Sequence, residues 1–342
     1  MFRKKKDISF RISPFKLLYT TFLFLGAAAV AGYLAQGKAI WQTLRQGEWW
    51  WLACAFSLQL AFFVNQSALY AAAYRVVGLR EGIGHLFLLV MASAFVAAVA
   101  PGGTLSGTGL MIYDARRKEL DVARAILANF IFFLCDYLAF LIVLFLGLLY
   151  LFLQGNLQRY ELVATAILLA LVLLLASALF IVALRPEIFL RISCQMALLA
   201  GRLPLGKAGQ NWDEKIEAFL SSLSTTLKNI SWSRPAMLRA AGHALLMEAI
   251  GLLQLQALFL AFHQNPGLGR LITGYAVGVL FMIVSITPQG VGLMEGAMTA
   301  AYTSLGIPLD QAVLVTFIYR IFSLWLPMLG GFIFFNWVLA RW

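Results

Sequence analysis

Apolar runs of about 20 residues recur along the whole chain, separated by short polar or basic interruptions. Wound at 1.5 Å per residue, such a run spans the roughly 30 Å of hydrocarbon in a bilayer, so the pattern predicts membrane-spanning helices. The expected spans are 15–35, a second ending near Tyr74, then 123–153, 162–184, 236–262 and 309–339. The first has a candidate cleavage site at Ala27-Ala28-Ala29, but its apolar core is long enough to cross, and it is read as a retained helix. Two further apolar segments break the pattern. Residues 84–113 are interrupted at Pro101-Gly102-Gly103, and residues 271–305 at Pro288-Gln289-Gly290. Backbone that leaves the helix at membrane depth is tolerated only where protein or a watery cavity surrounds it.

Basic residues orient these segments. Arg3-Lys4-Lys5-Lys6, Arg11 and Lys16 precede the first span and place the N-terminus in the cytoplasm. Arg75 and Arg80 precede the first broken segment and Arg116-Arg117-Lys118 follow it, so both its ends are cytoplasmic and it reads as a re-entrant hairpin. The competing reading is one long kinked helix that crosses. With two hairpins, twenty-one of the twenty-six Lys/Arg are cytoplasmic, four (Lys38, Arg45, Arg159, Arg270) are external, and Arg320 lies within the membrane. The C-terminus is then cytoplasmic as well, and the plasma membrane is the expected location. Residues 185–239 mix eight Lys/Arg with four Asp/Glu and apolar residues at helical spacing, which predicts amphipathic helices on the cytoplasmic surface.

The two halves share one order. Residues 1–155 and 156–342 each run helix, helix, broken hairpin (about 84–113 and 271–305), long helix, the second half carrying the amphipathic insert at about 185–235. Gly109 and Gly296 each lie eight residues after the hairpin proline, and Asp121 and Asp310 open the helices that follow. The expected fold is an all-α polytopic membrane protein of two inverted repeats, one hairpin reaching in from each face. Helices broken at corresponding places in inverted repeats point to a transporter's midplane site.

Composition narrows the function classes. Hydrophobic residues make up 62% and charged residues 12%, against about 25% charged in soluble domains. The formal charge of +11 would suggest nucleic acid in a soluble chain, but here the basic residues flank apolar spans, and no nucleic-acid partner is expected. Cys54, Cys135 and Cys194 show no paired spacing, so neither a disulfide framework nor a metal site is supported, and no cofactor is implied. No Gly-x-Ser-x-Gly turn or His-Glu-x-x-His helix is present, and no catalytic residue is assigned.

Candidate site residues concentrate at the two breaks. Interrupting a helix leaves free N–H groups and a positive dipole end at the start of its second piece, so two hairpins meeting at midplane offer an anion site that suits a lipid phosphate. Pro101, Gly102, Gly103 and Ser106 belong to the first, and Pro288, Gly290, Gly292 and Glu295 to the second. Arg320, eleven residues into its helix, is too deep to snorkel and is a candidate for the headgroup. Glu295 either lines the site or pairs with Arg320. Asp136 and Glu248 also lie deep in spans; Asp136 reads equally as a proton carrier or as a helix-to-helix hydrogen-bond partner. His243 is five residues before Glu248 and on another face, which argues against a metal pair. Gln59, Asn65 and Asn129 read as interhelical glue, and Asp114, Glu119 and Asp121 as caps of a cytoplasmic helix start.

Pro101-Gly102-Gly103, Pro288-Gln289-Gly290-Val291-Gly292 with Glu295, and Tyr319-Arg320 followed by Ser323-Leu324-Trp325-Leu326-Pro327 resemble the lysylphosphatidylglycerol synthase transmembrane-region family. That family is the flippase-like membrane half of the multiple peptide resistance factor and also occurs as stand-alone proteins. The resemblance spans the chain and implies translocation of a phospholipid or other amphiphilic lipid between leaflets, or a related role in envelope lipid handling. Phe133 stands where the family often has Arg, three residues before Asp136, and Gln289 replaces a usual glycine. Nothing here corresponds to the aminoacyl-transferase domain of two-part members, so lysyl-lipid synthesis is not implied. The alternatives are a non-transporting accessory or scaffold protein of envelope synthesis docking through 185–235, in a homo-oligomer or with an envelope-synthesis partner, and an intramembrane lipid-modifying enzyme.

Overall fold

The computed structural model describes residues 47–100, 103–184, 233–285 and 287–340, and all the regular structure there is helical. The expected span 15–35, Pro101, Gly102 and nearly all of the insert 185–235 lie outside the described residues. Helices α1 (Trp49–Val76), α2 (Ile83–Val99), α3 (Thr104–Arg117), α4 (Val122–Leu153) and α5 (Arg159–Leu184) are followed by α6 (Arg234–Ala261) and α7 (Leu268–Val284). A 3₁₀ turn (Pro288–Gly290), α8 (Leu293–Ser304), α9 (Leu309–Arg320), a π-helical turn (Ile321–Trp325) and α10 (Leu326–Ala340) complete the order. Helices α1, α4, α6 and the joined α9–α10 are long and apolar enough to cross a bilayer. Helices α2 and α7 have 17 residues each, about 25 Å at 1.5 Å per residue, and α3 and α8 are shorter still.

Large apolar side chains such as Phe145, Leu173 and Ile333 stand exposed on the outside. In lipid that exposure costs nothing, since the solvent is as apolar as the side chain. The Trp49–Trp51 cluster opens α1, with Trp49 and Trp50 stacked at 3.9 Å and exposed, as an interfacial belt requires.

Polar side chains fix the register of the central pair. Helices α1 and α6 run antiparallel: Glu48 N–H donates to the Ala261 carbonyl (2.8 Å), Gln254 Nε2 to Gln59 Oε1 (2.8 Å), and Asn65 Nδ2 to the His243 carbonyl (2.8 Å). His243 Nδ1 and Asn65 Oδ1 lie 2.7 Å apart. Gln59 and Asn65 are thus glue between helices, as expected. Asn129 is not, among the described residues: its Nδ2 bonds the Ala125 carbonyl of its own helix (2.8 Å) and its Oδ1 has no partner there. Local satisfaction one turn back competes with bonding across helices.

Two crossings mirror one another. Helix α7 packs on α4 where Gly147 faces Thr273 and Ala276, with Thr273 Oγ1 donating to the Gly147 carbonyl (3.2 Å). Helix α2 packs on α10 where Gly331 faces Met91 so closely that a Cβ would lie 2.3 Å from the Met91 carbonyl oxygen. Each hairpin's first limb is therefore held by the long helix of the other half, through a glycine that lets backbones approach.

The hairpins come from opposite ends. The end of α2–α3 that carries Ile83 and Arg117 clusters with Val76, Ala123 and Ala236. The base of α7–α8 lies at the other end, where Gly269 meets Tyr150 and Asn156 Nδ2 donates to the Ser304 carbonyl (3.0 Å). At the first end lie Arg75, Arg80, Arg116, Arg117, Lys118, Arg124, Arg234 and Arg239; at the second, Arg159 and Arg270. Three of the carboxylates expected to cap divide their roles: Asp121 N-caps α4 through Ala123 and Arg124 N–H groups, Asp114 bonds His85 Nε2 (2.8 Å), and Glu119 adopts a positive φ past the end of α3.

Candidate functional site

The tips of the two hairpins touch. A Cβ on Gly103 (φ +53°) would lie 4.0 Å from both the Gln289 nitrogen and the Pro288 Cα, so a side chain as small as a methyl group would bridge the two tips. Beside them is a cavity of about 600 Å³ that draws on α1 to α4, α6, α7, the second break and α9. Aromatic residues, including Phe63, Tyr70, Phe132 and Phe133, supply much of its wall, and Tyr70 stacks on Phe132 at 3.8 Å.

The second break solves its own hydrogen-bond problem. Where the helix stops, Ser285 Oγ accepts from Thr287 N–H (3.0 Å) and Thr287 Oγ1 donates to the Val291 carbonyl (3.1 Å). Hydroxyls thus replace the helical partners that non-helical backbone would lack in a dry interior. Gly290 (φ +67°) fits against Met282, where a Cβ would lie 2.6 Å from the Met282 Cα. Gly292 (φ +86°) is the N-cap of α8, and its N–H donates to Glu295 Oε2 (2.7 Å).

Glu295 has a second partner. Arg320 Nε donates to Glu295 Oε1 (2.6 Å), its Nη2 to the Gln289 carbonyl (2.9 Å), and its Nη1 to Met294 Sδ (3.3 Å). The Arg320 side chain is 2% exposed and that of Glu295 23%. One guanidinium on α9 therefore holds three residues of the second break. Of the two roles left open for Glu295, pairing with Arg320 is what the geometry displays, and its carboxylate occupies the N-terminal anion position of α8 that a bound phosphate would otherwise take.

Two carboxylates away from this pair line the cavity. Glu248 on α6 is buried and accepts from the Tyr275 hydroxyl (3.0 Å). Asp136 on α4 lines the cavity, with no hydrogen bond or ion pair to it among the described residues. No group of three His, Cys, Asp or Glu is placed to hold a metal among the described residues. Gly103 and Ser106 open α3, while Pro101 and Gly102 lie outside the described residues.

Residues 18–331 match the family described as the lysylphosphatidylglycerol synthase TM region. The chain belongs to that family. It is also 24% identical over 328 residues to a UPF0104 membrane protein, MJ1595, of Methanocaldococcus jannaschii, covering 93% of this chain and 92% of the relative. A second UPF0104 membrane protein, from Methanothermobacter thermautotrophicus, is 33% identical over 87 residues, a quarter of each chain. No solved structure matches. In this family member, the Pro288–Glu295 and Tyr319-Arg320 motifs on which the resemblance rested are joined in one hydrogen-bonded unit. Three participants went unread in the sequence: the Gln289 carbonyl, Met294 and Tyr275. A backbone acceptor leaves no sequence signal, but Gly292-x-x-Glu295 has the spacing of a capping box, with Glu at the third helical position, and could have been read as one.

Proposed function

We propose that this protein moves an amphiphilic lipid between leaflets, with the headgroup passing through the cavity beside the two hairpin tips and the acyl chains remaining in the bilayer. The observation that carries the reading is the meeting of two short-limbed hairpins, from opposite ends of the bundle, beside a cavity of about 600 Å³. That volume suits a headgroup and not a whole lipid. The mirrored α4–α7 and α2–α10 crossings support the division into 1–155 and 156–342 as inverted repeats. Rocking of one repeat against the other would open the cavity to each side in turn. With eight basic residues at one end of the described bundle and two at the other, the basic end faces the cytoplasm, and the plasma membrane is the setting.

Arg320, Glu295, Pro288, Gly290 and Gly292 shape the second tip in this reading, and Pro101, Gly102, Gly103 and Ser106 the first. A headgroup phosphate competes with the Glu295 carboxylate for the Arg320 guanidinium, so capture of an anionic lipid and release of the second hairpin become one event. The two states then differ by a charge exchange at a buried site, which gives a ligand the differential affinity that any population shift needs. The test is exchange of a fluorescent phosphatidylglycerol in reconstituted vesicles, read by quenching of the outer leaflet. Wild-type protein is expected to expose the inner pool and Arg320→Ala to leave it protected; equal exchange in both overturns the role of Arg320.

A further inference from the structure

The charges around the cavity do not balance. Asp136 and Glu248 both line it, on α4 and α6, and lie within electrostatic reach of one another. Among the described residues that line the cavity the one basic side chain is Arg320, which is already held by Glu295 at 2.6 Å. Around Asp136 and Glu248 the titratable neighbours are Tyr70 of α1, Cys135 and Tyr137 of α4, Tyr275 of α7, and Tyr319 and Arg320 of α9. Helices α2, α3, α5, α8 and α10 add no titratable group to the lining. Neutral phenols can donate one hydrogen bond each, as Tyr275 does to Glu248 at 3.0 Å, but they cannot neutralise two carboxylates.

Two ionised carboxylates in one cavity of a membrane interior repel, and neither can shed its cost of desolvation without a cation. A metal ion is a poor candidate for that cation. Hard cations take six or more oxygen ligands, whereas no group of three His, Cys, Asp or Glu is gathered to hold a metal among the described residues. A proton needs no shell. We infer that Asp136 and Glu248 form a shared proton site within the translocation cavity, one proton being taken up from either side in turn as the cavity alternates, so that lipid movement is driven by the proton gradient. The step makes and breaks only a carboxyl O–H bond, the proton coming from water on one side and leaving to water on the other. Asp136, with no fixed partner among the described residues, is the exchanging member; Glu248, anchored by Tyr275, sets how strongly the site holds its proton. The coupling half of this inference rests on the lipid-exchange reading, and the proton site does not.

The experiment uses the full chain in phosphatidylglycerol vesicles, where no cationic lipid is present. Dicyclohexylcarbodiimide, which reacts with protonated carboxyls in apolar surroundings, is added across pH 5 to 9 and its adducts are mapped by mass spectrometry. Labelling at Asp136 is expected to fall about tenfold or more as pH rises, and E248Q is expected to move its midpoint down by about one unit, because a like charge has been removed. Wild-type labelling alone tests the site should a variant fail to fold. Absence of label at both residues, labelling indifferent to pH, or protection by sodium at fixed pH overturns the proton site. In the same vesicles an imposed pH gradient is expected to change the rate of fluorescent-lipid exchange about threefold or more in wild type and not in D136N. Exchange indifferent to the gradient overturns coupling, whereas no exchange at all overturns the lipid reading and leaves the labelling result to stand by itself.

Discussion

Arg320 is the residue on which the second hairpin depends. Its guanidinium gathers a carboxylate, a carbonyl and a thioether from one break, all inside the bundle. Removing one partner of a buried pair leaves the other charge uncompensated, at a cost of about 3–5 kcal/mol. Glu295→Ala should therefore lower the thermal midpoint in detergent strongly, and more than Glu295→Gln, whose amide oxygen still accepts from Gly292. The pair Arg320→Met with Glu295→Leu replaces both charges with similar apolar volume, and should recover most of that stability. If lipid exchange stays lost in the recovered double variant, the charges act in function and not merely in folding; recovered exchange would reduce them to a staple. At this scale the sequence was informative about which residues matter. An Arg and a Glu deep in apolar sequence stand out by cost alone, whereas the Gln289 carbonyl has no side-chain signature and Asn129 looked like glue until its intrahelical bond was seen.

Glycine positions decide how the elements pack. Gly331 sits where a Cβ would lie 2.3 Å from the Met91 backbone oxygen, and Gly147 where it would lie 3.0 Å from the Ala276 Cβ. A backbone oxygen cannot turn aside as a side chain can, so Gly331→Ala should prise α2 from α10 and cost about 1–3 kcal/mol, while Gly147→Ala should cost less. Equal thermal shifts for the two would contradict this close approach. Gly292 has open space but a φ of +86° with ψ of −45°, so Gly292→Ala should cost about 1–3 kcal/mol through backbone strain alone. Both breaks were legible in the sequence, because proline and paired glycines in otherwise apolar sequence have few uses: helices end at Val99 and Val284 and resume at Thr104 and Leu293. The π-helical turn after Arg320 was not legible: residues 309–339 read as one span, and nothing in Ile321–Trp325 marks the extra residue per turn.

Across the whole molecule the arrangement turns on direction. Tips of two hairpins touch, their bases lie at opposite ends, and basic residues crowd one of those ends. The order of elements and the charge asymmetry could be read from the sequence because hydropathy and the positive-inside bias are chain-local. The reciprocal packing of each hairpin on the other half's long helix could not, since it depends on which helices meet. A cysteine at Gly155 should react with an impermeant maleimide in intact cells, and one at Glu119 only after the cells are opened; labelling of both in intact cells would break the hairpin topology. The central claim is tested most directly by lipid exchange in vesicles with a disulfide joining the two tips. With cysteines at Gly103 and Gln289, exchange of fluorescent phosphatidylglycerol should stop on oxidation and return on reduction. Exchange that continues unchanged with the tips verified as crosslinked would contradict passage beside the hairpins.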